Sequence, residues 1–220
     1  MLLLHHGPVN GQTSAMTGPA YRIETERLVV RCWDPADAGL AKDAIDSSLE
    51  HLRRWMPWAH DEPQTLEQKV ELLRRFRGQF DLGDDFIYGI FTRDETRALG
   101  GTGLHVRVGA HAREIGYWIR ADAEGRGYVT EAVAALTRVG FEIDGLERIE
   151  IRCDPENTRS AAIPQRLGYV HEATLRGRVR DEDDRPRDAM VFTLFDDQYP
   201  SSPAADVAVE AFDVVGAKLL

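Results

Sequence analysis

Cysteine is scarce in this sequence, and the patterns that would give it a structural role are missing. Only Cys32 and Cys153 occur in 220 residues, with no Cys-x-x-Cys spacing and no histidine cluster beside them. This argues against a disulfide scaffold and against a structural zinc site. Both thiols are predicted to be small core residues, as in proteins of a reducing cytoplasm.

Long apolar runs and an excess of basic residues are also missing. No stretch reaches the ~20 apolar residues of a transmembrane helix, which argues against a membrane-spanning protein. The 37 acidic and 27 basic side chains give a formal net charge of −10, which argues against broad nucleic-acid binding. An acidic surface is compatible with cationic substrates, although the same charge also serves solubility alone.

The composition that remains, 43% hydrophobic and 29% charged, is typical of one soluble globular core with additions. Residues 1–20 contain no charged side chain and are predicted to form a flexible arm. The domain is predicted to occupy residues 21–196. Residues 197–220 are predicted to be an acidic, amphipathic tail, forming one helix over 201–220.

Strand-like and helix-like periodicities alternate along the domain, which predicts a mixed α/β fold. Strands are predicted at 27–31, 86–91, 98–108, 112–120 and 148–153, helices at 36–55, 65–80 and 128–144, and then a short helix and two final strands. An apolar stripe of the second helix is predicted from Leu66, Val70, Leu73 and Phe76.

A glycine turn at the end of the 112–120 strand carries the clearest chemical signal. Gly125 and Gly127 precede the 128–144 helix directly, so unpaired N–H groups at the helix N-terminus are predicted to attract an anion. Arg126 adds a cation, and the missing Cβ atoms let phosphate oxygens approach. An ordinary turn is the alternative. Neither a Walker A loop nor a full Gly-x-Gly-x-x-Gly is present, which argues against nucleotide hydrolysis and a Rossmann cofactor.

A second polar element, Asn157-Thr158-Arg159-Ser160, opens the next short helix. The side chains of Asn157 and Ser160 are predicted either to cap this helix or to contact a ligand at the mouth of a splayed sheet.

Taken together, these segments resemble the GNAT family of acyl-CoA-dependent N-acyltransferases. More narrowly, they are similar to its RimJ/RimL-type branch, which acetylates the N-termini of ribosomal proteins and related amines. The resemblance covers about residues 21–196 and implies a mostly antiparallel sheet that is splayed at its middle and flanked by helices. Its motifs are Ile23-Glu24-Thr25-Glu26-Arg27-Leu28-Val29-Val30-Arg31, Trp55-Met56-Pro57-Trp58, Glu114-Ile115-Gly116-Tyr117-Trp118-Ile119, Gly125-Arg126-Gly127-Tyr128-Val129-Thr130-Glu131-Ala132, Asn157-Thr158-Arg159-Ser160 and Arg166-Leu167-Gly168-Tyr169.

The resemblance also implies where the donor, acetyl-CoA, binds, and it implies no metal. Ile119 would pair with the pantetheine amides, Asn157 would contact the pantetheine arm or a water, and Ser160 would lie near the sulfur. The CoA pyrophosphate would be held by the backbone of Glu124, Gly125, Arg126, Gly127, Tyr128 and Val129.

Two positions depart from the family pattern. Asp122 stands where the loop usually begins with Gln or Arg, which puts little in doubt because the loop contacts are made by the main chain. Pro164 stands where many members have a tyrosine that protonates the departing thiolate. The RimJ/RimL-type branch often has proline there too.

The implied reaction is direct attack of a neutral amine on the acetyl thioester. Glu114 is the predicted base, acting through a water, and a solvent-facing strand carboxylate is the alternative. Ser160, or a water held by Asn157, is predicted to protonate the thiolate. Backbone N–H groups near Ile119 are predicted to stabilise the developing oxyanion.

The acceptor is the least determined part of this prediction. Trp55, Trp58 and Trp118 are predicted to bind it, with simple packing as the alternative. An acidic run at 181–184 is predicted to be the solvated tip of a hairpin, with attraction of a basic substrate as the alternative. The acceptor is predicted to be a protein N-terminus first and a small amine such as a polyamine, amino acid or antibiotic second. A CoA-binding protein without catalysis is the third reading, and a cytoplasmic monomer or homodimer is expected.

Overall fold

The computed structural model describes residues 18–181, 183 and 185–220, so most of the predicted N-terminal arm lies outside the described residues. The described chain forms one nine-stranded sheet with the order β7-β8-β6-β5-β4-β3-β2-β1-β9. The strands are β1 (Arg22–Glu24), β2 (Leu28–Cys32), β3 (Phe86–Thr92), β4 (Ala98–His105), β5 (Ala112–Ile119), β6 (Arg148–Cys153), β7 (Val170–Arg180), β8 (Pro186–Phe195) and β9 (Glu210–Phe212).

In the part of the chain that the structure describes, five α-helices lie on the two faces of the sheet. They are α1 (Ala38–Asp46), α2 (Leu49–Arg53), α3 (Leu66–Leu82), α4 (Tyr128–Glu142) and α5 (Thr158–Arg166). Helix α4 packs against the face that carries Val30 and Ile115. Helices α1 and α3 pack against the opposite face, which carries Val29 and Phe91. The mixed, mostly antiparallel fold that the resemblance implied is therefore confirmed.

The predicted helix over 36–55 is interrupted, and the interruption places Ser48 against the loop that precedes the glycine turn. A short 3₁₀ turn opens the segment, and α1 ends at Asp46 before α2 begins at Leu49. Between them, the hydroxyl of Ser48 accepts the amide of Ala121 at 3.0 Å. Serine competes with the helical backbone for hydrogen bonds, so a break at this point is consistent with its chemistry.

Helix α3 matches its predicted span, but its buried face differs from the predicted stripe. Leu66 and Val70 are 48% and 40% exposed, whereas Leu73 and Phe80 are buried. The buried face instead includes Lys69, which is fully buried against Glu62. A buried ion pair thus takes a place that periodicity alone gives to apolar residues.

The prediction of one helix over the C-terminal tail is wrong. The chain there forms two short 3₁₀ turns, Tyr199–Ser201 and Pro203–Asp206, and then the edge strand β9, which pairs antiparallel with β1. Pro200 and Pro203 each occupy an early position of a 3₁₀ turn, where the missing N–H costs nothing, and they disfavour a continuous helix.

Candidate active site

The sheet opens between β5 and β6, which run parallel. Their pairing extends only from Ala112 with Arg148 to Glu114 with Glu150. The amide of Arg120 donates to Leu99 on the β4 side, and antiparallel bonds alternate along a strand. The backbone groups of 117 and 119 therefore face the gap and are available to a ligand. This gap is the splay that the resemblance implied.

The glycine turn between β5 and α4 presents a row of unpaired amides. Gly125 and Gly127 have φ values of +71° and +79°, a left-handed conformation that L side chains rarely adopt. The first hydrogen bond of α4 runs from the Glu131 amide to the Gly127 carbonyl. Within the described residues, the amides of 125–130 have no acceptor. This cradle, with Arg126 inside it, fits a pyrophosphate.

One ion pair holds this cradle from outside. The guanidinium of Arg27 donates to the Glu131 carboxylate at 2.6 Å and to the Arg126 carbonyl at 2.9 Å. The Thr25 hydroxyl donates to the same carboxylate at 2.6 Å. The turn between β1 and β2 is thereby fixed to the first turn of α4. Arg27 and Glu131 both lie within the sequence motifs, but the motifs carry no signal for this contact because the two residues are 104 positions apart.

Side chains around the cradle are occupied by protein partners. The Glu124 carboxylate lies 3.0 Å from Arg159 and 3.6 Å from His51. The guanidinium of Arg27 lies over the Tyr128 ring, 4.8 Å from its centroid. The Tyr128 amide is among the free amides of the cradle, whereas the Glu124 amide donates to the Ala121 carbonyl at 3.4 Å. The side chains of both residues brace the loop.

Asp122, at the position that departs from the family pattern, is part of a separate network. Burial alone would raise the pKa of Asp122, but hydrogen bonds from Arg120 and Arg97 lower it. The Arg120 guanidinium also donates to Ser47 at 3.2 Å and to Asp43 at 2.9 Å. Two arginines thus balance the charge of Asp122. Through Ser47, the break between α1 and α2 contacts the loop at Arg120.

Asn157 and Ser160 lie together with Tyr117 beside the gap. The Asn157 side-chain oxygen accepts the Ser160 amide at 3.1 Å, which is the predicted helix cap. The Ser160 hydroxyl donates to the Tyr117 oxygen at 3.1 Å, and the Tyr117 hydroxyl donates to the Ser160 carbonyl at 3.0 Å. Burial raises the pKa of Tyr117 well above its usual range, so its hydroxyl stays protonated. Sequence analysis assigned no role to Tyr117.

Glu114 lies where the parallel pairing ends, and it is 7% exposed. Its carboxylate accepts a hydrogen bond from Arg107 at 2.5 Å and lies 3.7 Å from Arg152. Arg152 also binds Glu150, the register partner of Glu114, at 2.9 Å. The base of the gap is therefore a network of ion pairs.

A large cleft opens from the gap onto the face of α1–α3. Its volume is about 2070 Å³, and its lining includes all three tryptophans predicted at the acceptor site as well as Ser160. Trp58 meets Trp118 edge to face, with ring centroids 5.7 Å apart. Trp55 lies beside the guanidinium groups of Arg54 and Arg187.

The cleft differs in charge from the chain as a whole. Among the described residues that line it are nine arginines and one lysine against seven carboxylates, although acidic residues exceed basic ones in the sequence. Arg178 and Arg185 enter the lining from the hairpin of β7 and β8. Of the two described residues of the acidic run, Asp181 lines the cleft and Asp183 does not. Glu182 and Asp184 lie outside the described residues. The described lining therefore carries more basic than acidic side chains, and the attraction of the acidic run for a basic substrate stays a prediction.

Among residues 18–181, 183 and 185–220, no helix is long and apolar enough to cross a bilayer. The same part of the chain holds no cluster of three or more histidine, cysteine or carboxylate side chains placed to bind a metal ion.

Known proteins are similar to this chain across most of its length. The family model described as "Acetyltransferase (GNAT) domain" matches residues 27–170. The [ribosomal protein uS5]-alanine N-acetyltransferase of Escherichia coli K12 is 30% identical over 159 residues, which are 70% of this chain and 80% of that protein.

Solved structures share the fold. A probable GNAT acetyltransferase from Chromobacterium violaceum superposes with a TM-score of 0.70 at 27% identity, over 91% of this chain and 98% of that one. The ribosomal L7/L12 α-N-protein acetyltransferase RimL, solved in complex with coenzyme A, superposes with a TM-score of 0.71 at 17% identity, over 78% and 95% of the two chains. With a cradle of free amides beside a splayed sheet, and with this match over most of the domain, the chain belongs to the GNAT family of N-acetyltransferases.

Proposed function

We propose that this acetyltransferase uses acetyl-CoA to acetylate the N-terminal α-amine of a polypeptide. The observation that carries the proposal is the continuity of the gap at Ser160 with an open cleft of about 2070 Å³. Pockets for small ligands usually enclose about 300–1000 Å³, so this cleft has room for a chain end. The name of the Escherichia coli relative, a ribosomal-protein alanine N-acetyltransferase, supports the same acceptor class.

The donor would lie along the gap, with its pyrophosphate on the amides of 125–130 and its pantetheine arm along the free edge of β5. Ile119 and Tyr117 offer backbone groups there, and Asn157 offers the amide nitrogen that helix capping leaves unused. Acetyl-CoA supplies an activated acetyl group with a good leaving group. The task of this chain is then to orient the amine and the carbonyl carbon.

The acceptor class also follows from proton affinity. A free α-amine has a pKa of about 7.7–8.0 and a lysine side chain one of about 10.4, so much more of the α-amine is neutral at physiological pH. The base predicted from sequence, Glu114, is held by Arg107, and its role stays a prediction.

The departing thiolate would meet two hydroxyl groups. Ser160 and Tyr117 share a hydrogen bond of 3.1 Å beside the gap, and Pro164 removes the tyrosine that many relatives use. The Tyr117 hydroxyl, which burial holds protonated, donates to the Ser160 carbonyl. The Ser160 hydroxyl would therefore have to turn from Tyr117 toward the gap to donate to the sulfur. Cytoplasm is the proposed location, since newly made ribosomal proteins and acetyl-CoA meet there.

Calorimetry with acetyl-CoA tests the donor site. In Gly127→Glu, a bulky anion enters the cradle at a left-handed residue, and binding should be lost. Gly216 has a similar φ of +80° with open space around it, so Gly216→Glu is the matched control and should bind as the wild type does. Absence of binding by the wild type would overturn the proposal.

The acceptor is tested with peptides that begin with Ala or Ser, each offered with a free or a blocked N-terminus. Mass spectrometry should detect one added acetyl group on the free peptides only. Turnover of polyamines, amino acids or antibiotics without turnover of peptides would assign a small-amine acceptor. Acetyl-CoA binding with no turnover of any amine would indicate a non-catalytic CoA-binding protein.

A further inference from the structure

Glycines leave part of the cleft floor bare, and a histidine lies over that part. In the register of β4 and β5, Gly103 faces Gly116, and His105 faces Glu114. A Cβ atom at Gly103 would lie 2.7 Å from Nε2 of His105, and one at Gly116 would lie 3.2 Å from it. The imidazole therefore lies in space that two missing side chains provide, and it lines the cleft.

A carboxylate behind the ring orients it. Nδ1 of His105 lies 2.9 Å from Oδ2 of Asp85. The other oxygen, Oδ1 of Asp85, accepts the backbone amides of Val106 at 3.1 Å and Phe86 at 3.2 Å. Burial alone would raise the pKa of Asp85, but the hydrogen bond to His105 and the two amides lower it.

This arrangement sets the tautomer of the imidazole. An ionised Asp85 accepts a hydrogen bond from Nδ1–H, so the neutral ring carries its lone pair on Nε2. In the part of the chain that the structure describes, Nε2 has no hydrogen-bond partner. It does not belong to the fully buried unpaired atoms of that part either. The dyad thus offers a proton acceptor to whatever occupies the cleft.

We propose that His105, positioned by Asp85, takes the proton of the acceptor amine during acetyl transfer. The proposal rests on the proposed function. The amine nitrogen bonds to the acetyl carbon, and the carbon–sulfur bond breaks. Nε2 receives the proton that the nitrogen loses and later releases it to solvent, while the CoA thiolate takes up a proton. Among the described residues, the Asp85 carboxylate bonds to His105 and to two backbone amides, so it is a positioning residue.

The other candidate on this floor is less suited to the role. Glu114 is bound by Arg107 at 2.5 Å and lies 3.7 Å from Arg152, so it must break ion pairs to accept a proton. The charged groups that face the imidazole are Asp85 before β3, Arg107 after β4 and Glu114 on β5.

The test compares His105→Gln, Asp85→Asn and Glu114→Gln with the wild type, using a peptide that the wild type acetylates. General bases contribute about 10²–10⁴-fold, so His105→Gln should lower kcat by at least about 100-fold. His105→Gln should also abolish the acidic limb of the pH profile of kcat/KM. Asp85→Asn should lower kcat by about tenfold or more by disturbing the tautomer. The matched control is His171→Gln, on an exposed histidine of β7 outside the cleft, and it should leave kcat unchanged.

Two further readouts separate loss of the base from loss of fold. Acetyl-CoA affinity by calorimetry should stay within about twofold of wild type in His105→Gln, because the dyad does not contact the donor cradle. Nitrogen NMR of the unliganded wild type should show the Nδ1–H tautomer of His105.

The outcomes distinguish this proposal from the proposed function. Wild-type acetylation that persists at full rate in His105→Gln overturns the dyad and leaves the acetyltransferase proposal standing. A 100-fold loss in Glu114→Gln with none in His105→Gln assigns the base to the glutamate. An Nε2–H tautomer overturns the dyad even where no acceptor is turned over, whereas wild-type failure on every amine overturns the proposed function.

Discussion

The carboxylate of Glu131 accepts hydrogen bonds from both the backbone amide and the guanidinium of Arg27, at 3.0 and 2.6 Å. Glu131 lies in the first turn of α4, where a negative charge is favoured by the helix dipole. Arg27 also donates to the carbonyl of Arg126, inside the cradle. The conformation of the proposed pyrophosphate loop therefore depends on a contact with the β1–β2 turn.

Removing this contact should weaken donor binding. Hydrogen bonds to charged groups contribute about 1.5–3 kcal/mol, so Glu131→Gln and Arg27→Gln should each raise the Kd for acetyl-CoA by roughly tenfold or more. Calorimetry measures this directly. Arg74, whose ion pair with Glu71 on α3 is exposed, provides the control Arg74→Gln, which should bind as the wild type does. Wild-type affinity in both test variants would contradict the role.

Much of the fold could be predicted because its signals are local. Alternation in β5 and the Gly125–Gly127 turn are read directly from neighbouring residues, and the resemblance supplied the splay between β5 and β6. The clamp of Arg27 on Glu131, the Tyr117–Ser160 pair and the His105–Asp85 dyad join distant segments, and single-sequence patterns carry no signal for them.

The wrong predictions share a physical cause as well. Ser48 ends a helical stretch because its hydroxyl accepts an amide from a loop 73 residues away. Lys69 occupies a buried helix position because Glu62 neutralises it. Strand β9 has only three residues and forms because β1 leaves an edge to pair with. In each case, a tertiary partner overrides local propensity.

The arginine-rich lining predicts a charge preference for the acceptor. Arg178 lines the cleft and has no carboxylate partner within the described residues. The guanidinium of Arg54, which also lines the cleft, lies over the ring of Trp55. Peptides with Asp or Glu after the first residue should therefore be acetylated with a lower KM than matched peptides with Lys. The difference should shrink as salt is added, because exposed charges are screened.

The arginines themselves supply the matching variants. Arg178→Gln should raise the KM for the acidic peptide several-fold, by loss of about 0.5–1 kcal/mol at a partly exposed site, and leave kcat unchanged. Arg176 lies on the same strand outside the cleft lining, so Arg176→Gln is the control. A lower KM for the basic peptide would show that the acidic hairpin, and not the arginines of the cleft, sets the charge preference for the acceptor.

The Glu62–Lys69 pair should matter for stability. Lys69 is fully buried, and Glu62 also accepts the amide of Gln64 at 2.9 Å. Lys69→Met leaves a buried carboxylate without its cation, which costs about 3–5 kcal/mol of unfolding free energy. Urea denaturation measures the loss. The double variant Glu62→Gln/Lys69→Met removes the stranded charge and should recover most of it, and equal stability of the single and double variants would contradict this account.

Asp144 should give the fold a distinctive pH dependence. Burial raises the pKa of Asp144 to about 6, with nearby Arg113 lowering it in part, and the backbone at Gly18 lies close to its carboxylate. An unfolded aspartate has a pKa of about 3.9. Between these two values the folded state binds a proton that the unfolded chain has released. The contribution of Asp144 to stability is therefore present below pH 4 and is lost as the pH rises through 6.

Asp144→Asn removes this loss, so the variant should be more stable than the wild type at pH 7–8 by up to about 3 kcal/mol. The gain should disappear at pH 4, where the wild-type carboxyl is protonated in the folded state. Urea denaturation across this pH range gives the difference curve. Asp197, exposed after β8, provides the control Asp197→Asn, whose curve should follow the wild type. A stability difference between Asp144→Asn and the wild type that is the same at pH 4 and at pH 8 would contradict this account. It would show that the charge of Arg113 offsets the burial of the ionised carboxylate.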